Sequence, residues 1–501
     1  MSQSVSKPPQ QPMPAQQAGR PDSGGATTAR DRLVLRLLIV STFVVVLNET
    51  IMSVALPTLM IDLSISAAIA QWLTTGFLLT MAVVIPITGF LMQRFHTRQV
   101  YLLAMMLFTA GTLLAAVAPG FAVLLGARVI QASGTAIMIP LLMTTAMSLV
   151  PANARGRTMG TISIVIAVAP AIGPTISGLI LSVLSWRFMF ILVLPIAVIA
   201  LIIGAIKMVN VTEPRKVPLD LLSVILTPLA FGGLLYGLSS LGEGAAHEQA
   251  INPLVPALVG VLALVCFVIR QVTLARHGSP LLDLRTFTSR NFTYSIVLIA
   301  LASLVLFGSL ILLPIYMQSV LGLNTLTAGL LLLPGGLAMG LLSPIVGRLY
   351  DKYGPRPLLP VGAVMISAAL WLMTVLLHED TAVAMILLVH VLLNVGLAFT
   401  FTPLFSASLG SLQPDFYSHG SAILNTIQQV MGAVGTALFI TVMASAEATR
   451  AATGAAHMES TAAGVHQAFI VGASISIIGI AASILVRRPA PTNESAPLPM
   501  H

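Results

Sequence analysis

Hydrophobic residues along this chain are gathered into long runs that short polar segments separate. Each run is near the roughly 20 residues that an α-helix needs to cross a bilayer. The runs are too long, and alternate too little in polarity, for the strands of a membrane β-barrel. The pattern predicts fourteen transmembrane helices, at approximately 33–57, 69–92, 99–118, 122–149, 158–183, 186–207, 219–240, 253–273, 292–316, 326–347, 357–377, 382–409, 420–445 and 465–487.

Composition agrees with an integral membrane protein. The chain is 57% hydrophobic and 8% charged, whereas soluble proteins carry about 25% charged residues. Its net charge of +8 would suit nucleic-acid binding, but the basic residues are scattered in short loops between apolar runs. The expected partner is therefore the lipid bilayer and not nucleic acid.

The positions of lysine and arginine predict the topology. If the N-terminus is cytoplasmic, 21 of the 24 basic residues fall in the tails and loops on the cytoplasmic side. Arg187 and Arg450 fall on the other side, and Arg128 lies within a span. This asymmetry matches the positive-inside rule. It predicts an even number of spans and two cytoplasmic termini.

An internal repeat divides the chain. The segment PITGFLMQRFHTR from Pro86 resembles PIVGRLYDKYGPR from Pro344, and the same offset relates the first span to the ninth. Parallel six-span repeats are typical of transporters whose substrate site lies near the midplane between the halves. The predicted units are a disordered cytoplasmic tail, a six-helix bundle, two inserted helices with linkers, a second six-helix bundle and a second cytoplasmic tail, at 1–32, 33–207, 208–291, 292–487 and 488–501.

Glu49 is the only carboxylate well inside a predicted span. A charged residue at a helix centre costs roughly 2.5–3.5 kcal/mol on insertion scales, so it normally faces a cavity or a partner. Loss of hydration favours the neutral form of a carboxyl group, which suits proton exchange. The sequence predicts a proton-coupling role in a central cavity. The alternative is that Glu49 reaches interfacial water near the outer end of its span.

Arg128 is the only cation deep in a span, and Gln131 lies one turn later on the same helix face. We expect Arg128 to line the cavity and to tune the protonation of Glu49. The alternative is a static hydrogen-bond anchor for its helix. Other polar residues within spans are predicted to line a substrate cavity, although buried amides also commonly join neighbouring helices: Asn48, Gln131, His390, Asn394, Asn425 and Gln428.

Several short motifs occur in a characteristic order. The loop pattern G-x-L-x-D-x-x-G-x-R is intact at 347–356, and its first-half copy is degraded because Gln93 replaces the acid and His96 the second glycine. The pattern R-x-x-Q-x-x-G begins at Arg128, and W-R-x-x-F begins at Trp186. The pattern G-x-x-x-G-P-x-x-G-G is present at 169–178 with two substitutions.

Together these motifs resemble those of the major facilitator superfamily, specifically its fourteen-helix drug:proton antiporter branch. The Asn-Glu pair after Leu47 is similar to the lincomycin-resistance type of exporter. The resemblance implies an all-α fold of two six-helix bundles plus two inserted helices, in a bacterial plasma (inner) membrane. It implies export of small amphipathic substrates against an inward flow of protons, by alternating access. The branch usually has L-D-x-T in span 1, so the acid has moved by one position here.

The motifs also imply moving parts. Residues of the fifth-span motif are expected to let that helix flex or seal against the other half: Pro170, Gly173, Pro174 and Gly178. The intact loop is expected to act as a cytoplasmic latch through Gly347, Asp351, Gly354 and Arg356, with Asp351 accepting from a helix N-terminus or from Arg356. The degraded copy with Arg94 and Arg98 is interpreted as a topology signal with turn residues.

Other functions are less consistent with the sequence. It contains no nucleotide-binding loop of the G-x-x-x-x-G-K type and no metal-ligand cluster, so neither a cofactor nor a metal is expected, and an ion or substrate gradient must supply the energy. The main alternative is a dedicated exporter of one physiological molecule, such as a lipid, peptide or amino-acid derivative. A membrane-embedded enzyme or sensor would need a catalytic cluster or a sizeable soluble domain. An adaptor protein spanning a second membrane is compatible with the sequence but not required.

Overall fold

The computed structural model describes residues 28–65, 67–211, 214, 218–242, 252, 254–276, 280–378 and 381–488. Residues 1–27 and 489–501 of the two predicted tails lie outside the described residues, as do parts of the linkers around the inserted helices. Within the described ranges all regular structure is helical. The division into five units stays a prediction.

Fifteen helices form the described part of the molecule. The first six are α1 Ala29–Asp62, α2 Ala67–Arg94, α3 Thr97–Ala116, α4 Phe121–Leu149, α5 Arg155–Val183 and α6 Arg187–Lys207. Three follow in the insert: α7 Leu221–Thr227, α8 Gly233–Gly242 and α9 Leu254–Ala275. The last six are α10 Arg290–Ile315, α11 Thr325–Tyr353, α12 Pro355–Leu376, α13 Val383–Gly410, α14 Tyr417–Ala451 and α15 His457–Ser483.

The predicted all-α membrane fold is confirmed. Thirteen helices in the described ranges are long and apolar enough to cross a membrane. The remaining predicted span, 219–240, contains a shorter apolar helix in which the π-helical turn Pro228–Gly232 joins α7 to α8. Pro228 has no backbone N–H, so the regular helical hydrogen-bond pattern is interrupted at this turn.

Local sequence explains where several helices begin and end. Thr28 and Asp31 form a reciprocal capping box at the start of α1. Gly354 separates α11 from α12 with a φ of 78°, a conformation that glycine adopts without steric cost. Pro355 then opens α12, where its missing N–H is not needed. The Gly-Pro pair of the intact loop motif therefore makes a sharp joint between two helices.

The two halves, α1–α6 and α10–α15, meet most extensively where α5 packs on α11 and where α2 packs on α14. The α5–α11 contact, called here the glycine seam, depends on five glycines: Gly156, Gly160, Gly336, Gly340 and Gly347. A Cβ atom at Gly347 would lie 2.1 Å from the carbonyl oxygen of Gly156. The two backbones can approach this closely only because neither residue has a side chain.

The inserted helices α7–α9 pack on one another and beside α2 and α14. Asp220 precedes α7 and accepts a hydrogen bond from Arg270 Nη2 of α9 at 2.8 Å. This bond joins the start of α7 to α9. Gln271 is fully buried and accepts from the backbone N–H groups of Leu281 and Leu282 at 2.8 and 3.1 Å. These bonds fix the linker that leads from the insert into the second half.

Candidate functional site

A cavity of about 260 Å³ lies between the two halves. Its walls come from α1, α2, α4 and α5 in the first half and from α10, α11, α13 and α14 in the second. Most of the lining is apolar. The polar lining residues are Glu49, Thr50, Thr135, Ser309, His390, Asn394, Asn425, Gln428 and Gln429.

Glu49 faces this cavity from α1. Among the described residues that line it, Glu49 is the only carboxylate, and lysine and arginine are absent. The Glu49 carboxylate makes no ion pair in the part of the chain that the structure describes. Glu49 is therefore an acidic group in a mainly apolar space, without a fixed cationic partner.

Arg128 does not line the cavity, which corrects the prediction from its sequence position. Its side chain is fully buried, and its guanidinium carbon lies 4.0 Å from the centre of the Phe77 ring. Nη1 donates to Gln131 Oε1 at 2.8 Å and to Asn48 Oδ1 at 3.3 Å. Nη2 is buried without a hydrogen-bond partner among the described residues. Through Asn48, Arg128 is bonded to the chain neighbour of Glu49, but the described residues show no ion pair between Arg128 and Glu49.

Asn48 and Gln131 are likewise displaced from their predicted place in the cavity lining. Both are almost fully buried and serve as acceptors for Arg128. Gln131 also donates from Nε2 to Thr112 Oγ1 at 2.8 Å, which joins α4 to α3. Successive residues of a helix point about 100° apart, so Asn48 turns toward α4 while Glu49 turns toward the cavity.

The fifth-span motif has two different environments. A Cβ atom at Gly173 would lie 2.2 Å from Thr50 Oγ1, so α5 reaches α1 beside Glu49 only because this residue is glycine. Pro170 lines the cavity. Gly178 has open space around its Cβ position, and Gly173 meets α1 of its own half, so neither glycine seals α5 against the second half in this conformation. A role in helix flexing stays a prediction. Pro174 lies within α5, and its side chain is outside what the structure describes.

The second half supplies an amide-rich wall opposite Glu49. His390, Asn394, Asn425 and Gln428 all line the cavity. His390 Nε2 lies 3.2 Å from the carbonyl oxygen of Leu332, and Asn394 Nδ2 donates to the carbonyl of His390 at 2.9 Å. Asn425 Nδ2 donates to the carbonyl of Ser421 at 2.8 Å. Each amide thus keeps an oxygen or a second N–H with which it can meet a solute.

Several cavity residues were not predicted. Gln429 was recognisable as an amide within a span, but Thr50, Thr135 and Ser309 resemble ordinary helix hydroxyls. Aromatic and methionine residues of the lining cannot be distinguished from lipid-facing ones by sequence: Met81, Phe307, Met339 and Phe401. Only the packing of the two halves shows which apolar faces meet at the cavity.

The halves are joined at the end of the bundle that carries the α2–α3 and α11–α12 loops, called here the basic end for its residues Arg94, Arg98, Arg348 and Arg356. Asp351 accepts from the backbone N–H groups of Gly156 and Arg157 at 2.7 and 2.8 Å. These groups open α5, so the second-half carboxylate caps a first-half helix. Gly347 lies in the adjoining glycine seam.

The arginines of the two loop motifs do not pair with Asp351. Arg356 is exposed. Of the two predicted donors to Asp351, a helix N-terminus or Arg356, the structure shows the helix N-terminus. Arg98 Nη2 donates to the carbonyl of Ala205 at the end of α6, within the first half. Arg94 is exposed. The interaction of Arg98 with the end of α6 is favourable because helix C-termini carry partial negative charge.

The degraded loop copy also joins the two halves, which corrects its interpretation as a topology signal alone. Gln93 Nε2 and His419 Nε2 lie 2.6 Å apart, between α2 and α14. Gln93 occupies the position in the first repeat that Asp351 occupies in the second. A second bond between the halves joins Thr144 Oγ1 of α4 to Ser421 Oγ of α14 at 2.7 Å.

Two helical halves around a shared central cavity define the class of this molecule as a multi-pass membrane transporter. The chain belongs to the Major Facilitator Superfamily, whose family model matches residues 38–436. The chain is accordingly a transporter and not an enzyme.

Curated relatives cover almost the whole chain. The uncharacterized MFS-type transporter YcnB of Bacillus subtilis is 41% identical over 466 residues, which are 93% of this chain and 97% of that protein. The lincomycin resistance protein LmrB of the same organism is 39% identical over 457 residues, 90% of this chain and 95% of that protein. Among solved structures, the human organic anion transporter MFSD10 has a TM-score of 0.65 at 14% identity, covering 91% of this chain and all of that one. At this identity the likeness concerns the fold alone.

Proposed function

We propose that this transporter exports amphipathic compounds in exchange for protons. The observation that carries the proposal is the single carboxylate, Glu49, facing a mainly apolar cavity without a fixed cationic partner. A proton or a cationic group of the substrate can each neutralise this carboxylate, so the two compete for it. Relatives named for lincomycin and multidrug resistance support a drug or toxic compound as the exported solute.

The way the halves are joined supports transport by alternating access. The hydrogen bonds described between them lie at the cavity or nearer the basic end. They include those of Asp351, Gln93, Thr144 and Thr402. The glycine seam closes the same region. We infer that this conformation is closed at the basic end and that export requires these contacts to part. By the positive-inside rule, the basic end and both termini face the cytoplasm of a plasma membrane.

The test is transport in proteoliposomes with an imposed pH gradient. Wild-type protein is expected to accumulate lincomycin, or an unrelated amphipathic cation such as ethidium, against its concentration gradient. Glu49→Gln keeps the size of the side chain but cannot release a proton, so accumulation is expected to be lost. If Glu49→Gln accumulates drug at the wild-type rate, Glu49 is not the coupling residue.

Asp62→Asn is the matched control, because Asp62 is an acid on the same helix that pairs with Arg187 away from the cavity. Its accumulation of drug is expected to stay close to that of wild type. Comparing several unrelated compounds separates a multidrug exporter from a dedicated exporter of one physiological molecule.

A further inference from the structure

Arg128 forms a hydrogen bond with Asn48, the chain neighbour of Glu49, and no ion pair joins Arg128 to Glu49 among the described residues. Asn48 is 2% exposed and accepts from Arg128 Nη1, while its chain neighbour Glu49 faces the cavity. The guanidinium is held from several sides, by Asn48, Gln131, the carbonyl of Leu73 and the ring of Phe77. None of these groups carries a negative charge.

We propose that Asn48 is a positioning residue for proton coupling, holding the Arg128 guanidinium in place through a neutral amide that does not cancel its charge. The inference rests on the proposed function. The positive field of Arg128 then acts on Glu49, while the Glu49 carboxylate stays free to bind a proton or a substrate. The cation that favours proton release is thereby kept apart from the group that carries the proton.

The chemistry of the acceptor at position 48 decides this arrangement. A carboxylate there would form a charge-assisted hydrogen bond with Arg128, roughly twice as strong as a neutral one, and would offset its charge. An amide oxygen accepts the same hydrogen bond without offsetting the charge of Arg128. The unpartnered Nη2 atom agrees with a guanidinium whose charge is not fully matched by its surroundings, an arrangement that is uncommon for a buried group.

Few other charged side chains lie on the helices that surround Glu49 at the cavity. Of the helices packed against α1, α4 carries Arg128, which bonds Asn48 behind the cavity wall. None of α2, α5 and α6 contributes a charged side chain to the described lining of the cavity. His390 on α13 is the other titratable residue of that lining. A change of charge at position 48 is therefore expected to act on Glu49 mainly through Arg128.

The test is the pH dependence of drug accumulation by Asn48→Asp in proteoliposomes. The new carboxylate would pair with Arg128 and add a like charge beside Glu49, and both effects make Glu49 hold its proton more tightly. The pH midpoint of accumulation is expected to move by about one unit or more toward alkaline pH. Asn48→Ser adds no charge beside Arg128 or Glu49, so its midpoint is expected to stay near the wild-type value even if its rate falls.

The outcomes separate the inference from the function on which it rests. If wild type shows no proton-driven accumulation, the proposed function fails. If wild type is proton-driven but Asn48→Asp has an unchanged midpoint, or Asn48→Ser shifts as far as Asn48→Asp, then Asn48 has a packing role only and the inference is overturned.

A second measurement does not depend on whether Asn48→Asp folds. Infrared titration of the wild-type protein is expected to show a protonated-carboxyl band that disappears as the pH rises and is missing from Glu49→Gln. Absence of that band between pH 5 and 9 would mean that Glu49 stays ionised throughout this range, which contradicts a carboxylate left free to bind a proton.

Discussion

Glu49 shares its cavity with groups that can adapt to different solutes. Asn394, Asn425 and Gln428 can each donate or accept hydrogen bonds, and they lie in the wall opposite the carboxylate. Met81 and Met339 add flexible, polarisable surface. A site of this kind fixes the position of one charge and leaves the remaining contacts adjustable, which suits a group of amphipathic compounds better than one solute of fixed shape.

At Gly173, we expect a side chain to be poorly tolerated because it would separate α5 from α1 beside Glu49. The Cβ atom of Gly173→Ala would meet Thr50 Oγ1 at 2.2 Å, and overpacking of this kind typically costs about 1–3 kcal/mol. Both the apparent melting temperature in detergent and the rate of drug accumulation are expected to fall.

Gly178→Ala is the matched control for this substitution. It lies in the same motif and helix, but its Cβ position has nothing within 4 Å, so both quantities should stay near wild type. Equal losses in the two variants would show that glycine is needed along α5 for helix flexibility and not for this one contact.

Sequence identifies the polar residues of the site better than it identifies their surroundings. Glu49 and Arg128 stand out because charges inside apolar spans are rare. Which face of α1 meets the cavity cannot be read from the same pattern, because Asn48 and Glu49 are both polar and point only about 100° apart. The helix packing assigns Asn48 to Arg128 and Glu49 to the cavity.

At the scale of helices, the two loop motifs join the halves by different chemistry. Asp351 places a negative charge at the N-terminus of α5, whereas Gln93 meets His419 side chain to side chain. A carboxylate at a helix N-terminus is typically worth about 0.3–1 kcal/mol, and up to ~2 kcal/mol when partly buried. The second-half contact is therefore expected to contribute substantially to closure of the basic end.

Neutralising Asp351 is expected to open the basic end part of the time. Asp351→Asn keeps one acceptor oxygen but loses the charge at the start of α5, so the closed conformation loses stability. Spin labels at positions 36 and 487, which are exposed on opposite halves, can report this in a Cys266→Ser background. The distance distribution should gain a longer component.

Arg356→Gln serves as the control for this measurement, because Arg356 belongs to the same motif but is exposed and makes no described bond to Asp351. Its distances should match those of the parent. If Arg356→Gln opens the basic end as far as Asp351→Asn does, the latch depends on an Asp351–Arg356 pair that this conformation does not contain.

At the scale of the whole molecule, the fold is largely readable from the sequence because bilayer thickness fixes the helix lengths and the repeat relates the two halves. The joints between the halves are not readable in this way. Gln93 and His419 are 326 positions apart, and the glycine seam pairs residues from separate repeats. Such contacts depend on how two bundles dock, for which a single sequence carries no periodic signal.

A disulfide across the basic end tests whether the halves must separate. Thr144 Oγ1 and Ser421 Oγ lie 2.7 Å apart on α4 and α14, so Thr144→Cys with Ser421→Cys is expected to form a disulfide between the halves, given the short reach of that bond. In a Cys266→Ser background, oxidation should stop drug accumulation, because the basic end cannot open, and a reductant should restore it.

The control is a cysteine pair within one half. Ser367 Oγ and Ser476 Oγ lie 2.9 Å apart on α12 and α15, so the corresponding cysteine pair should leave accumulation unchanged on oxidation. If the cross-linked Thr144–Ser421 variant transports as fast as its reduced form, the halves do not part at the basic end, and the substrate must leave the cavity by another route.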